Sequence, residues 1–146
     1  MVAEIERGAV AGFAGALAMS VSTNAEMRLR GRPPSPAPAL AIGRLLRIDT
    51  GGKRKEMLLT SAGHFVTSVA LGATRGAMAR LGVRPLPAGF ALFGLALLPE
   101  VLVLPLLGAS PPPWRWSGYD GAIAALHHGV YAGGTNAAYW LLDDRA

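Results

Sequence analysis

The chain has 146 residues, room for one domain, and is 51% hydrophobic but only 16% charged, with a net charge of +5. Soluble domains carry about 25% charged residues. At a mean hydropathy of +0.35, the composition therefore argues for an integral membrane protein over a soluble helical protein with a buried core. No cysteine is present, which excludes disulfides, thiolate metal sites and cysteine nucleophiles; the basic residues cluster between two apolar runs, which argues against nucleic acid as the partner.

The first apolar run, Gly8 to Ala25, holds no charged residue and predicts a membrane helix over 8–27. Ala16-Leu17-Ala18 mimics a signal cleavage site. However, the tip before the run carries Glu4, Glu6 and Arg7 rather than a basic segment, and the run continues to Ala25, so the reading is a retained helix. Gly8, Gly12, Gly15, Ala16 and Met19 share a face that is almost entirely small. Such a face lets two helix backbones approach closely in lipid, where van der Waals packing replaces the hydrophobic effect.

Arg28 to Glu56 is a long polar connection. Arg28, Arg30, Arg32, Arg44, Arg47, Lys53, Arg54 and Lys55 all fall in it, as in the cytoplasmic loop of a membrane protein. The proline-rich stretch Arg32 to Pro38 is not expected to be helical. Ala39 to Ile48 sets Leu40, Leu45 and Ile48 against Arg44 and Arg47, which predicts a short amphipathic helix, lying on the bilayer surface or capping the bundle. Arg44, Arg47, Lys53, Arg54 and Lys55 are the expected contacts to anionic lipid heads.

A second span is predicted over 57–81. Thr60, Ser61, His64, Thr67, Ser68 and Arg75 recur on one face, and Gly72 and Gly76 form a GxxxG. In lipid such a stripe turns inward, either as interhelical glue or for function. Gly82 to Pro85 is a tight turn, making spans two and three antiparallel neighbours. The third span, 86–108, carries one charge, Glu100, with Pro99 beside it and Pro105 beyond; the prolines would free the carbonyls of Leu95 and Val101. Ser110 to Asp120 is a rigid loop whose Trp114, Trp116 and Tyr119 suit the interfacial aromatic belt. The fourth span, 120–142, has a second GxxxG at Gly129 and Gly133. Its helical spacing puts His128 toward the bundle with Thr135 and Tyr139, and His127 on a less polar side with Ile123, Val130 and Leu141. Asp143, Asp144 and Arg145 end the chain in water.

The expected fold is thus all-α, an antiparallel four-helix transmembrane bundle forming a single domain over 1–146, with a short amphipathic helix in the first loop. The excess of Lys and Arg in loop one, with Arg115 in loop three, puts those loops in the cytoplasm and both termini outside.

Aligning the spans by depth, at about 1.5 Å per residue, brings Glu26 (or Asn24), His64, Glu100 and His128 into one candidate intramembrane polar layer. Three readings stand. The layer is structural, fixing helix register with a neutral or histidine-bonded Glu100; it is a proton or ion pathway; or it is a metal site built from two His and two Glu, for which no HExxH or ExxH spacing exists. Haem ligation by His64 and His128 is a further variant. No nucleotide loop, GxSxG or Ser-His-Asp arrangement is found.

The Gly/Ala-rich first span, the proline-containing connection, Pro105 to Pro112 (PLLGASPP) and His128-Gly129-Val130-Tyr131 resemble the YagU-like bacterial inner-membrane proteins, over the two C-terminal spans above all. The resemblance implies a small multi-span protein of the bacterial cell membrane and supplies no catalytic residues. The expected function is a structural or accessory membrane component, not an enzyme and with no cofactor. It contacts membrane lipids and forms a homo-oligomer through its GxxxG faces. The alternative is a small proton-linked transporter or channel using the Glu/His layer.

Overall fold

The computed structural model describes residues 2–143; the expectation for Asp144 and Arg145 lies outside them. Five helices account for the fold, and no strand occurs among the described residues. They are α1 (Val2–Arg30), α2 (Ala37–Leu46), α3 (Lys53–Arg80), α4 (Pro85–Leu106) and α5 (Gly118–Leu142). The proline-rich stretch is a poorer helix breaker than its composition implies. Ala37 and Pro38 open α2, because a proline in the first turn gives up an N–H that has no intrahelical partner anyway.

Glycine sets the tightest contact. A Cβ at Gly72 would stand 2.3 Å from the Gly8 carbonyl oxygen and 2.4 Å from Gly12 Cα, so α1 and α3 touch backbone to backbone. Glu4 lies against Gly76 and Gly12 against Ser68, an order that makes the two helices antiparallel. The GxxxG of α3 is therefore used inside the chain, against the small face of α1. Gly15 packs on Tyr131 and Thr135 of α5, and Arg7 Nη1 reaches Asp143 Oδ1 at 3.6 Å, so α1 also runs antiparallel to α5. Asn136 of α5 donates to the Pro85 carbonyl at 3.0 Å, which seats the start of α4 beside the last turns of α5.

Helix ends follow ordinary rules. Gly82 takes φ +75° in the turn between α3 and α4, a region that suits glycine, and Pro85 occupies the first turn of α4. Ser117 and Asp120 form a capping box on α5, with Asp120 N donating to Ser117 Oγ at 3.1 Å and Ser117 N to Asp120 Oδ2 at 3.1 Å. The sequence signal, Ser-x-x-Asp, was readable. Within α4, Pro99 to Val103 form a wider π-type turn, in which Leu104 N donates to the Pro99 carbonyl. An extra residue in the turn is how this helix accommodates its prolines.

α3 and α4 are long and apolar enough to cross a membrane, and only 11% of the most apolar stretch of each is buried. α1 and α5 are as long but more dilute in apolar side chains. Gly, Ser, Thr and His on their contact faces lower their mean hydropathy, while Val10, Phe13 and Val21 of α1 and Leu126 and Leu141 of α5 are exposed.

Candidate functional site

The polar groups of the interior cluster at two levels. At the end that carries the basic loop, Glu26 lies in the penultimate turn of α1 and is buried. Arg30, one turn on, donates from Nη1 to Glu26 Oε1 at 3.0 Å. Arg32, just past the helix end, grips the same carboxylate twice, Nε to Oε1 at 3.3 Å and Nη2 to Oε2 at 2.7 Å. This fork geometry is specific to arginine. Its hydrogen bonds to Glu26 hold the Arg32 guanidinium still further above its ordinary pKa. The Arg30 guanidinium also lies 4.2 Å over the Tyr119 ring, tying the end of α1 to the start of α5.

Facing Glu26 from α5 is His127. Its Nε2 stands 3.9 Å from Glu26 Oε2 and its Nδ1 2.9 Å from Ser22 Oγ. Nε2 is buried without a hydrogen-bond partner. This corrects the expectation that His127 points to the less polar side. Both imidazoles are buried, His127 at 6% exposure and His128 at 8%, because α5 is packed on two flanks. His127 continues the row Ala124, Tyr131, Thr135 that meets α1, and His128 turns to α4.

His128 Nδ1 lies 2.8 Å from the Ala124 carbonyl and 3.5 Å from Glu100 Oε2. A carbonyl only accepts, so Nδ1 carries the proton. Glu100 sits in the wide turn of α4 and keeps 36% side-chain exposure. Of the four residues expected in one layer, the structure thus pairs Glu100 with His128 and sets Glu26 beside the adjacent His127. His64 is elsewhere: its Nε2 lies 3.3 Å from Ser20 Oγ and 3.2 Å from the Ala16 carbonyl. It faces α1 more than a turn away from Glu26, and no hydrogen bond or ion pair joins it to the other three among the described residues. Asn24, the alternative to Glu26, is exposed and bonds back to the Ser20 carbonyl at 2.8 Å. With Glu26 held by two arginines, no three His, Asp or Glu side chains converge as a metal shell among the described residues.

The second level lies toward the opposite end. Arg75 of α3 is 3% exposed. Its Nε donates to Asn136 Oδ1 at 2.7 Å, and its guanidinium stacks 4.2 Å over the Tyr139 ring, a cation–π contact. Between the levels, the Tyr131 hydroxyl donates to the Ser68 carbonyl at 2.7 Å. The expected polar face of α3 is only partly internal. Ser68 and Arg75 are buried, whereas Ser61 and Thr67 are exposed, because the small residues Gly72 and Gly76 decide which side of α3 meets α1. Arg30, Arg32, Asn136 and His127 were not placed among the interior polar contacts from the sequence; the spacing of Arg30 four residues after Glu26 was the available signal.

Comparison with protein-family models, with curated proteins and with solved structures found no match.

Two surface hollows lie elsewhere on the molecule. One, of about 360 Å³, is lined by Leu40, Gly43, Arg44, Arg47, Ile48, Asp49 and Thr50. The other, of about 370 Å³, runs between α4 and α5 past Phe90, Phe93, Gly129 and Gly133. Neither lining includes Glu26, His64, Glu100 or His128.

Proposed function

We propose that this protein is a multi-pass component of a bacterial cell membrane, with α1, α3, α4 and α5 crossing the bilayer as an antiparallel bundle and α2 capping it. Its role is structural or accessory. The observation that carries this reading is an inverted burial pattern. Val21, Val66, Phe90 and Leu106 are 70–77% exposed, while Thr135, Arg75, His127 and His128 are buried. Water would select the reverse arrangement, whereas hydrocarbon accepts apolar side chains on the outside and drives polar ones inward. The membrane is that of a YagU-like bacterial protein, the connections at Arg28–Glu56 and Ser110–Ser117 lie in the cytoplasm, and both termini lie outside.

The accessory role is supported by how the interior polar groups are used. Glu26, His64, His128, Tyr131 and Arg75 each bond to another part of the same chain. A homo-oligomer would form through Gly129 and Gly133, where a Cβ would meet nothing within 4 Å; the Gly72 and Gly76 face is already covered by α1. The second reading, a proton-linked transporter, draws on the partly exposed Glu100 beside His128.

The chain has no cysteine, so single cysteines test the topology directly. With an impermeant maleimide, Leu81→Cys labels in intact cells and Ser35→Cys labels only after permeabilisation. Equal labelling of both in intact cells overturns the multi-pass reading. Proton flux in liposomes above that of empty vesicles, lost in Glu100→Gln, would replace the accessory role by transport.

A further inference from the structure

The first connection builds a basic hollow that the bundle itself does not need. α2 ends where Ile48 N donates to the Gly43 carbonyl at 3.0 Å and Arg47 takes φ 55°, a left-handed conformation that disfavours a long L side chain. The chain then folds back so tightly that a Cβ at Gly43 would stand 2.3 Å from Thr50 Cγ2. The result is the hollow of about 360 Å³, with Arg44 and Arg47 on its wall and Leu40 and Ile48 as its apolar surfaces. Arg44 spends one N–H on the Leu107 carbonyl, which fixes the guanidinium against the end of α4 and leaves its other donors available. Asp49 is the acid in the lining. It is engaged by Gly51 N at 3.0 Å and faces Lys55 Nζ at 3.8 Å, so the positive charge of the wall prevails.

The start of α3 adds a second observation. Lys53, Arg54 and Lys55 open this helix, and its N-cap, Gly52, makes no side-chain cap. A helix N-terminus is already positive and favours anions. Three cations placed there oppose that preference and raise the positive potential beside the hollow. Leu45 and Leu46, 65% and 61% exposed, extend the apolar surface outward from it.

We propose that this hollow seats the phosphate of an anionic phospholipid, held between Arg44 and Arg47, with acyl chains running over Leu40, Ile48 and the exposed leucines. The seat rests on the membrane reading above and assigns a partner to its basic loop. Two arginines are opposite in charge to a phosphate and suit it in fork geometry, and the apolar lining suits an amphiphile better than a free ion.

The test uses the full chain, delipidated in a non-ionic detergent, with binding followed by thermal shift and native mass spectrometry. The probes are phosphatidylglycerol, phosphatidylcholine and inorganic phosphate. The seat is supported if phosphatidylglycerol binds and stabilises while the other two do not, and if Arg47→Gly weakens that binding roughly fivefold, the loss expected for one surface cation. Glycine adopts φ 55° freely, so this variant keeps the fold. Arg54→Gln removes the same charge outside the hollow and should lose less. Equal losses in the two variants mean diffuse attraction and overturn the seat. Equal binding of phosphatidylcholine, or equal stabilisation by inorganic phosphate, overturns it as well. A chain that stays monodisperse in buffer without detergent overturns the membrane reading itself, and a membrane-embedded chain without lipid preference overturns the seat alone.

Discussion

His128 Nδ1 lies 3.5 Å from Glu100 Oε2, joining the third turn of α5 to the wide turn of α4. The same nitrogen is 2.8 Å from the Ala124 carbonyl, so the imidazole is held by its own helix and presented to the carboxyl on α4. A carboxyl removed from water costs several kcal/mol unless it is paired or neutral, and this contact is what α5 offers it.

The contact predicts a thermodynamic coupling. His128→Leu should lower stability in detergent by about 2 kcal/mol, the scale of losing a buried hydrogen-bonding group. Glu100→Gln should cost less, since it keeps a polar oxygen facing the imidazole and removes only the charge. A double-mutant cycle should return a coupling of about 1 kcal/mol. Additive effects, read from thermal or denaturant unfolding, would mean the two groups are neighbours without interaction.

The glycines separate into two classes. Gly72→Ala forces a Cβ against the backbone of Gly8 and Gly12, where nothing can rotate away, so it should cost ~3 kcal/mol or more and loosen α1 from α3. Gly129→Ala meets open space and gains helix propensity of up to about 1 kcal/mol, so the protomer should be unharmed or stabilised. Thermal unfolding of the two variants, read against wild type, checks the contrast. Gly133→Leu, followed by mass measurement in detergent, reports whether the open face joins copies of the chain.

Arg75 is buried on one hydrogen bond and one ring. Arg75→Met keeps the length but strands the Asn136 oxygen, and should destabilise by about 2 kcal/mol. Arg75→Lys keeps the charge without the planar fork, and should restore only part of the loss. Full rescue by lysine would show that charge, not geometry, is what the site requires.

Glu26 is the hub of the basic end. Glu26→Leu removes the acceptor of Arg30 and Arg32 and the carboxylate facing His127, so two cations lose their partner at once. The unfolding midpoint should fall, and Arg32→Gln added to Glu26→Leu should recover part of the fall because one unpaired charge is gone. Recovery is the informative result; a further drop would show that Arg32 acts through other groups.

Sequence alone determined that the chain is helical, where its long apolar segments lie, that a short helix interrupts the basic connection, and that Gly8, Gly12 and Gly15 form a packing face. These follow from local rules of periodicity, proline and glycine placement and charge density, which need no knowledge of partners. It also singled out Glu26, Glu100 and the histidines, because ionisable groups in apolar runs stand out against their surroundings.

Tertiary structure decided who pairs with whom. Depth counting along straight helices placed His64 with Glu100 and His128, but the helix faces turn His64 to Ser20 and Ala16. His127 was assigned to the wrong side because a single-face picture of α5 fails for a helix wedged between α1 and α4. Arg32 reaches Glu26 only because the chain turns back after Arg30, and no periodicity encodes that turn. The two GxxxG motifs are alike in sequence, yet Gly72 and Gly76 are filled by α1 while Gly129 and Gly133 stay open. Close packing is a property of two surfaces, and a motif carries only one of them.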